Sequence, residues 1–368
     1  MTSVTASARA GPRIRQESAA VSHTDADAPR LLVEPERLAG WMDARGLAPG
    51  RPLTVERVTT GHSNEVFRVE RGTLRLALRR PPRTPLSPTA HDMAREHRLL
   101  SALIEHAGAV PVPTPVALCA DPSVLGAPFY LMELLDGVVV RDRVPEALAV
   151  DPATPVALAH ALVDLLVGLH AFDWRAAGLD DFGRPEGYLD RQVPRWLGQL
   201  ARYKTRELPE VDEAGRWLAA HTPPMQAPTV IHGDYKLDNV MFEATLPVRP
   251  RAVLDWEQAT IGDPLVDLGW LLGLWLDPGE GSLFGANLPV AGAPGLPTRV
   301  DLAQRYAAAT GRDLSHLPFY CVLGLFKLAC VMEGSYARFL AGTSDDAFFQ
   351  VLGEGVPALA RRALELVP

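Results

Sequence analysis

The chain has 368 residues, of which 47% are hydrophobic and 22% charged; this near-average composition excludes a largely disordered chain and suits about two domains or one two-lobed unit. Lys plus Arg number 36 against 44 for Asp plus Glu, a formal charge of −8, which makes bulk nucleic acid and anionic membrane surfaces poor partners. The odd trio Cys119, Cys321 and Cys330 fits neither a disulfide framework nor a zinc site, Lys327 interrupts the best apolar run (Pro318 to Met332), and no secretory signal is read, so a cytoplasmic protein without a membrane partner is expected.

Residues 1 to 30 lack periodicity and read as a disordered tail. Leu32, Leu38, Trp41 and Met42 then suggest a short helix within 31–44. Strand signals follow at 55–58, 66–69 and 74–78, with Leu74, Leu76 and Leu78 on one face and Pro81, Pro82 and Pro85 ending the last. Thr89 is placed to cap a helix to about His106, in which Met93, Leu99, Leu100, Leu103 and Ile104 fall at helical spacing. Strands are predicted at 110–118 and 128–135. Beyond them the pattern is helical at 156–170, 191–203, 211–220, 265–276, 318–340 and 346–367, with short strands at 229–231, 240–242 and 252–254. Residues 277–297 are a Gly- and Pro-rich loop, and Thr298 with Asp301 reads as a capping box. The fold class is α+β: a small antiparallel sheet with one helix over 31–133, then a mainly helical lobe over 134–368. The junction near Leu134 makes a cleft, a common place for ligands.

The chemistry concentrates in His232-Gly233-Asp234-Tyr235-Lys236-Leu237-Asp238-Asn239, which follows a short apolar strand. Sixteen residues after Asn239, Asp255 closes Val253-Leu254-Asp255-Trp256. This is the catalytic-loop and metal-aspartate pattern of kinase-like phosphotransfer. One Asp must reach the attacking hydroxyl. An Asn five residues on, across a tight loop, can turn back to Mg²⁺, and a second carboxylate completes a hard oxygen site. With only three Asn in the chain, H-x-D-x-x-x-x-N is expected about 0.005 times from composition alone. The bland alternative is a surface loop whose Asp and Asn cap turns.

These residues resemble the aminoglycoside phosphotransferase family, which shares the protein-kinase-like two-lobed fold. The likeness covers most of residues 50 to 340, through the catalytic loop, Leu254-Asp255-Trp256-Glu257 and Gly262-Asp263-Pro264-Leu265-Val266-Asp267-Leu268. Gly61-His62-Ser63-Asn64, Leu78-Arg79-Arg80-Pro81-Pro82 and Phe129-Tyr130-Leu131-Met132-Glu133 resemble, more narrowly, the branch found fused to acyl-CoA dehydrogenases. The resemblance implies Asp234 as the catalytic Asp and Asn239 and Asp255 as Mg²⁺ ligands. It implies His232 as structural support and Asp267 as a brace of the catalytic-loop backbone, unless Asp267 merely meets its helix dipole.

For the first lobe it implies an ATP site. Gly61, His62, Ser63 and Asn64 would lie in the turn over the phosphates, a plain hairpin loop being the alternative. Ala77 would touch adenine and Arg79, on the same strand face, would pair with phosphate. Glu96 would partner that cation, or be a solvated helix residue. Met132, Glu133 and Leu134 would form the hinge that meets adenine through its backbone, or an ordinary edge strand.

The main departure is that no lysine precedes Lys204, so Arg79 stands where the family pattern has a phosphate-pairing lysine. Arg is bidentate, bulkier and not equivalent. Two functions therefore remain in view: an ATP- and Mg²⁺-dependent kinase of a small-molecule hydroxyl, or a nucleotide-binding pseudokinase or scaffold. From Trp256 onward there are 12 acids and 7 bases, no acidic trap for a polycationic aminoglycoside. Arg191, Arg195, Arg202 and Arg206 would share a face if 191–206 were one helix. That face suits an anionic acceptor such as a hydroxyacyl-CoA, or is a solvated amphipathic surface. His160 and His170 read as helix-face residues, and Trp270 and Trp275 as core. The sequence leaves the oligomeric state open.

Overall fold

The computed structural model describes residues 32–58, 64–82, 92–106, 110–141, 143–280, 296–343 and 348–368. The predicted tail, the Thr89 cap and Gly61, His62 and Ser63 lie outside these residues. The first lobe contains α1 (Pro35–Asp43), β1 (Leu53–Val58), β2 (Glu65–Arg71), β3 (Leu74–Arg80), α2 (Met93–His106), β4 (Pro115–Cys119), α3 (Pro122–Leu125) and β5 (Phe129–Glu133). Its strands form one antiparallel sheet in the order β1-β2-β3-β5-β4.

Strand alternation gives this sheet two uses. Leu76 and Leu78, with Phe129 and Leu131, cluster with Leu38, Trp41 and Met42 of α1. Trp41 meets Phe129 edge-on at 4.9 Å. Burial of each large α1 side chain contributes about 1.5–3 kcal/mol. Ala77 and Arg79 take the opposite face, toward α2, whose buried stripe holds Glu96 among Met93, Leu99, Leu100 and Leu103.

The predicted strand at 110–118 shrinks to β4. Pro111 and Pro113 lack an amide donor and break the ladder, whereas Pro115 is tolerated as the first residue of this edge strand. The proline segment instead joins the lobes, Pro111 O accepting from Val253 N at 2.8 Å.

The second lobe holds β6 (Val138–Val139), α4 (Glu146–Ala149), α5 (Thr154–His170), α6 (Gln192–Leu200), α7 (Pro209–Ala220), β7 (Thr229–Ile231), β8 (Val240–Phe242), β9 (Pro250–Val253), β10 (Thr260–Gly262), α8 (Leu265–Leu274), α9 (Arg299–Thr310), α10 (Leu317–Leu340) and α11 (Phe348–Glu365). β7 pairs with β10, and β8 sits between β6 and β9. Segment 232–239 therefore leaves β7 and enters β8, while 254–259 leaves β9 and enters β10. These two small sheets bring the segments side by side, with Leu254 N on Asn239 O at 2.8 Å.

The helical core is centred on α10, which is apolar and long enough to cross a membrane by length and composition, yet is 67% buried over its most apolar window. Here it is a core helix. α8 crosses it at Gly269, where a Cβ would lie 2.4 Å from the Tyr320 carbonyl carbon; only glycine permits this approach. The capping box at Thr298 and Asp301 is present and opens α9.

The helix predicted over 191–203 is shorter. α6 ends at Leu200, because Tyr203 is drawn to Cys330 O (2.6 Å) and Arg206 to Glu333 (2.8 Å). Arg191 donates to the carbonyls of Arg184 and Glu186. The four arginines thus share no face, and the basic stripe is withdrawn.

Candidate active site

The site is assembled by pinning backbone first. Asp267, fully buried near the start of α8, accepts from His232 N at 2.6 Å through Oδ2 and from Gly233 N at 2.8 Å through Oδ1. Bracing, rather than a helix-dipole contact alone, describes this residue. Burial pushes the Asp267 carboxyl up, but His170, His232 and the backbone donors outweigh it and hold it below the usual range. His170 Nε2 faces Asp267 at 3.5 Å and its Nδ1 meets the Tyr306 hydroxyl at 2.7 Å. Burial lowers its pKa, with Asp267 resisting.

Gly233 has φ +82°, and a Cβ there would lie 2.7 Å from Gln258 O, so glycine is required twice over. His232 Nε2 donates to Leu254 O (2.8 Å) and Nδ1 accepts from Asp234 N (3.2 Å). Both ring nitrogens are committed to backbone, which makes His232 a structural support.

Asn239 Nδ2 donates to Asp234 O (2.8 Å) and to Asp234 Oδ2 (3.1 Å). Lys236 Nζ lies 3.3 Å from the same Oδ2. Burial works against the Lys236 charge, but Asp234 and Asp238 outweigh it and raise its pKa. Asp234 Oδ1 and Asn239 Oδ1 are the oxygens left for other partners.

The first lobe meets the neighbouring 254–259 segment through Arg79. Its Nε donates to Glu96 Oε2 (3.0 Å) and its Nη2 to Asp255 Oδ1 (2.5 Å), with Glu257 Oε2 at 3.7 Å. Burial opposes the Arg79 charge, yet Glu96 and Asp255 hold its pKa well above the ordinary value. Burial lifts the Glu96 carboxyl, and Arg79 offsets that only in part. Asp255, also desolvated, is nevertheless held low by Arg79. Asp255 adopts a left-handed backbone, φ +65° and ψ +64°, a conformation that costs a non-glycine residue of order 1 kcal/mol and clusters at functional sites.

Asn64, at the foot of the β1–β2 turn, donates Nδ2 to Glu257 Oε2 at 2.7 Å. Its own Oδ1 is buried without a hydrogen-bond partner. The predicted hinge is the end of β5. Glu133 N donates to Thr114 O (2.8 Å) and Leu134 N to Arg75 O (3.4 Å). Met132 pairs with Ala77 across the sheet.

The structure thus brings Asn64, Ala77, Arg79, Glu96, Asp234, Asn239 and Asp255 to one interlobe site, with His232 and Asp267 behind it. Sequence reasoning did not single out Glu257, Lys236 or Lys327. Lys236 had a local signal, two residues after Asp234 in a lysine-poor chain. Lys327, whose buried ammonium donates to Gly233 O, had only its place inside an apolar helix.

A family model of the phosphotransferase enzyme family matches residues 54–302. The chain belongs to that family, and its fold is the protein-kinase-like α+β fold. It is 35% identical to acyl-CoA dehydrogenase family member 11 of Gallus gallus over 86% of this chain and 41% of that one. To acyl-CoA dehydrogenase family member 10 of Mus musculus it is 33% identical, over 85% of this chain and 29% of that one. It therefore spans about two fifths or less of these relatives' lengths. A solved structure from Ralstonia eutropha, described as a candidate aminoglycoside phosphotransferase, superposes with TM-score 0.74 at 31% identity, covering 90% of this chain and 97% of the other. The macrolide 2′-phosphotransferase of Brachybacterium faecium shares the fold at 21% identity and TM-score 0.56, over 87% and 98% of the two chains. The resemblance read from the 232–239 segment, and the acyl-CoA dehydrogenase-linked branch read from the first lobe, are borne out.

Proposed function

We propose that this small-molecule phosphotransferase transfers the γ-phosphoryl group of ATP to an acceptor hydroxyl, in the cytoplasm. The observation that carries the reading is one connected network, Glu96–Arg79–Asp255, reaching from the first lobe to the segment beside Asp234 and Asn239. The donor set fits Mg²⁺: the Asp255 carboxylate and Asn239 Oδ1 are hard oxygens, on neighbouring segments. A divalent cation held there neutralises charge on the phosphates.

The remaining work falls to the chain. Asp234 Oδ2 is fixed by Asn239 and Lys236, which leaves Oδ1 to accept the acceptor's hydroxyl proton and orient its oxygen for in-line attack. Lys236 Nζ, beside that carboxylate, is placed to meet the transferring phosphoryl oxygens. Arg79 contributes a cation to the phosphates, with Glu96 orienting its guanidinium. The Glu133 and Leu134 amides are spent within the sheet, so adenine is expected to use their carbonyls and the next amide, that of Leu135. Rate enhancement comes from positioning and charge neutralisation. Transfer is direct, with no covalent enzyme intermediate.

Asp234→Ala should abolish acceptor-dependent ADP release while Mg·ATP binding, followed by calorimetry, persists. Unchanged turnover would sink the assignment. One observation favours the scaffold reading: Arg79 occupies Asp255 Oδ1. ADP release that depends on a hydroxyl acceptor excludes it. A hydroxylated metabolite, rather than a polycationic antibiotic, remains the favoured acceptor on charge grounds.

A further inference from the structure

Asp234 is flanked by two peptide groups, and each is held by a side chain. The one after it is held by Asn239 on Asp234 O. The one before it has its N–H on His232 Nδ1 and its oxygen, Gly233 O, on Lys327 Nζ. Lys327 comes from the middle of α10, 94 residues away. It is 8% exposed, its ammonium 4.5 Å from the Trp270 ring centroid and 5.4 Å from that of Trp196. Among the described residues no carboxylate lies within ion-pair distance of Nζ. A buried ammonium whose charge is answered by one carbonyl and two indole faces is an expensive way to hold a loop. A neutral donor would suffice if only shape mattered.

We propose that Lys327 is a positioning residue for Asp234, and that only its protonated form sets the Gly233–Asp234 peptide for phosphotransfer. The charged amine makes a stronger, shorter bond to Gly233 O than the neutral amine can, and misplacement of a reacting carboxylate by about 1 Å costs on the order of 100-fold in rate. The charges facing Lys327 are Asp234 on the loop, Asp267 from α8, Arg195 from α6 and Lys236 on the loop. Burial pulls its pKa down to about 8 from an ordinary 10.5, Asp234 and Asp267 resisting, Arg195 and Lys236 assisting. The sign follows: the active, protonated form prevails below that value and is lost as pH rises through it.

The inference rests on the phosphotransferase reading, so its test has one arm that needs no turnover. The chain has only three lysines, so lysine selectively labelled at ¹⁵Nζ gives three resolvable signals. One should titrate near pH 8, vanish in Lys327→Met, and move together with the Gly233 carbonyl ¹³C shift in the otherwise wild-type protein. A Gly233 carbonyl that ignores that titration overturns the proposal, whatever the enzyme does. The second arm reads ADP release from Mg·ATP with water as acceptor. The wild type should lose activity above about pH 8. Lys327→Arg, charged throughout, should lack this alkaline limb. Lys327→Met should be about 10–100-fold slower and flat with pH, with ATP affinity within about twofold of wild type. An alkaline limb unchanged in folded variants overturns the proposal. If the wild type releases no ADP with water, the phosphotransferase reading stands or falls on acceptor-dependent turnover, and the first arm alone decides this proposal.

Discussion

Replacing Arg79 by Met removes a cation that faces Glu96, Asp255 and Glu257. The contacts are 3.0, 2.5 and 3.7 Å, and each unit-charge pair at about 4 Å is worth roughly 4 kcal/mol at an effective dielectric near 20. Desolvation of the guanidinium offsets much of that sum. The net loss for deleting one partner of a buried pair is about 3–5 kcal/mol. A chain of this size shifts by roughly 2 °C per kcal/mol, so thermal unfolding without metal should fall by about 6–10 °C. Mg²⁺ should then stabilise the variant more than the wild type, because it supplies the missing charge to Asp255; saturation at about 100 times its dissociation constant contributes about 2.7 kcal/mol. Scanning calorimetry with and without Mg²⁺ measures both. An Arg79→Met protein within a degree of wild type, or one indifferent to Mg²⁺, would refute the view that Arg79 balances these carboxylates.

Arg206→Ala should cost about 3–5 kcal/mol in urea unfolding, since it strands Glu333, which is fully buried and bound at 2.8 Å; adding Glu333→Gln should recover most of the loss, and failure to do so would point to lost packing instead. The native Asp267 carboxyl lies below its unfolded value, so its contribution is present above about pH 4 and lost as pH falls through the native value. The stability gap between wild type and Asp267→Asn should therefore narrow on acidification, and a pH-independent gap would contradict this. Asp255→Ala should weaken Mg²⁺-dependent ATP binding in calorimetric titrations, and an unchanged affinity would remove Asp255 from the metal site.

What the sequence made legible was local. His232, Asp234 and Asn239 lie within one loop, and Asp255 follows two short strands later, so spacing exposed them. Arg79 and Glu96 were readable through the family resemblance, with strand alternation placing Arg79 on the face of Ala77. The start of β4 was misplaced for the opposite reason: the apolar residues at 110, 112 and 116 read as a strand, while Pro111 and Pro113 forbade the ladder before residue 115. The end of α6 was set by contacts 127 residues distant, Tyr203 with Cys330 and Arg206 with Glu333. Glu257 is drawn in by residues far from it in sequence, Asn64, 193 residues earlier, and Arg79. Such pairs belong to the tertiary fold and leave no periodic trace.

The guanidinium at position 79 also sets how this site responds to covalent chemistry. Nucleotide-borne reagents that acylate or form imines with an amine at the phosphate subsite need a lysine on that strand, and here none precedes Lys204. The amine within reach is Lys236, on the opposite lobe and paired with Asp234. Labelling would therefore fall on the catalytic loop, and its extent would report how often Lys236 leaves that carboxylate. A reagent selective for lysine on the first-lobe strand would pass this protein by.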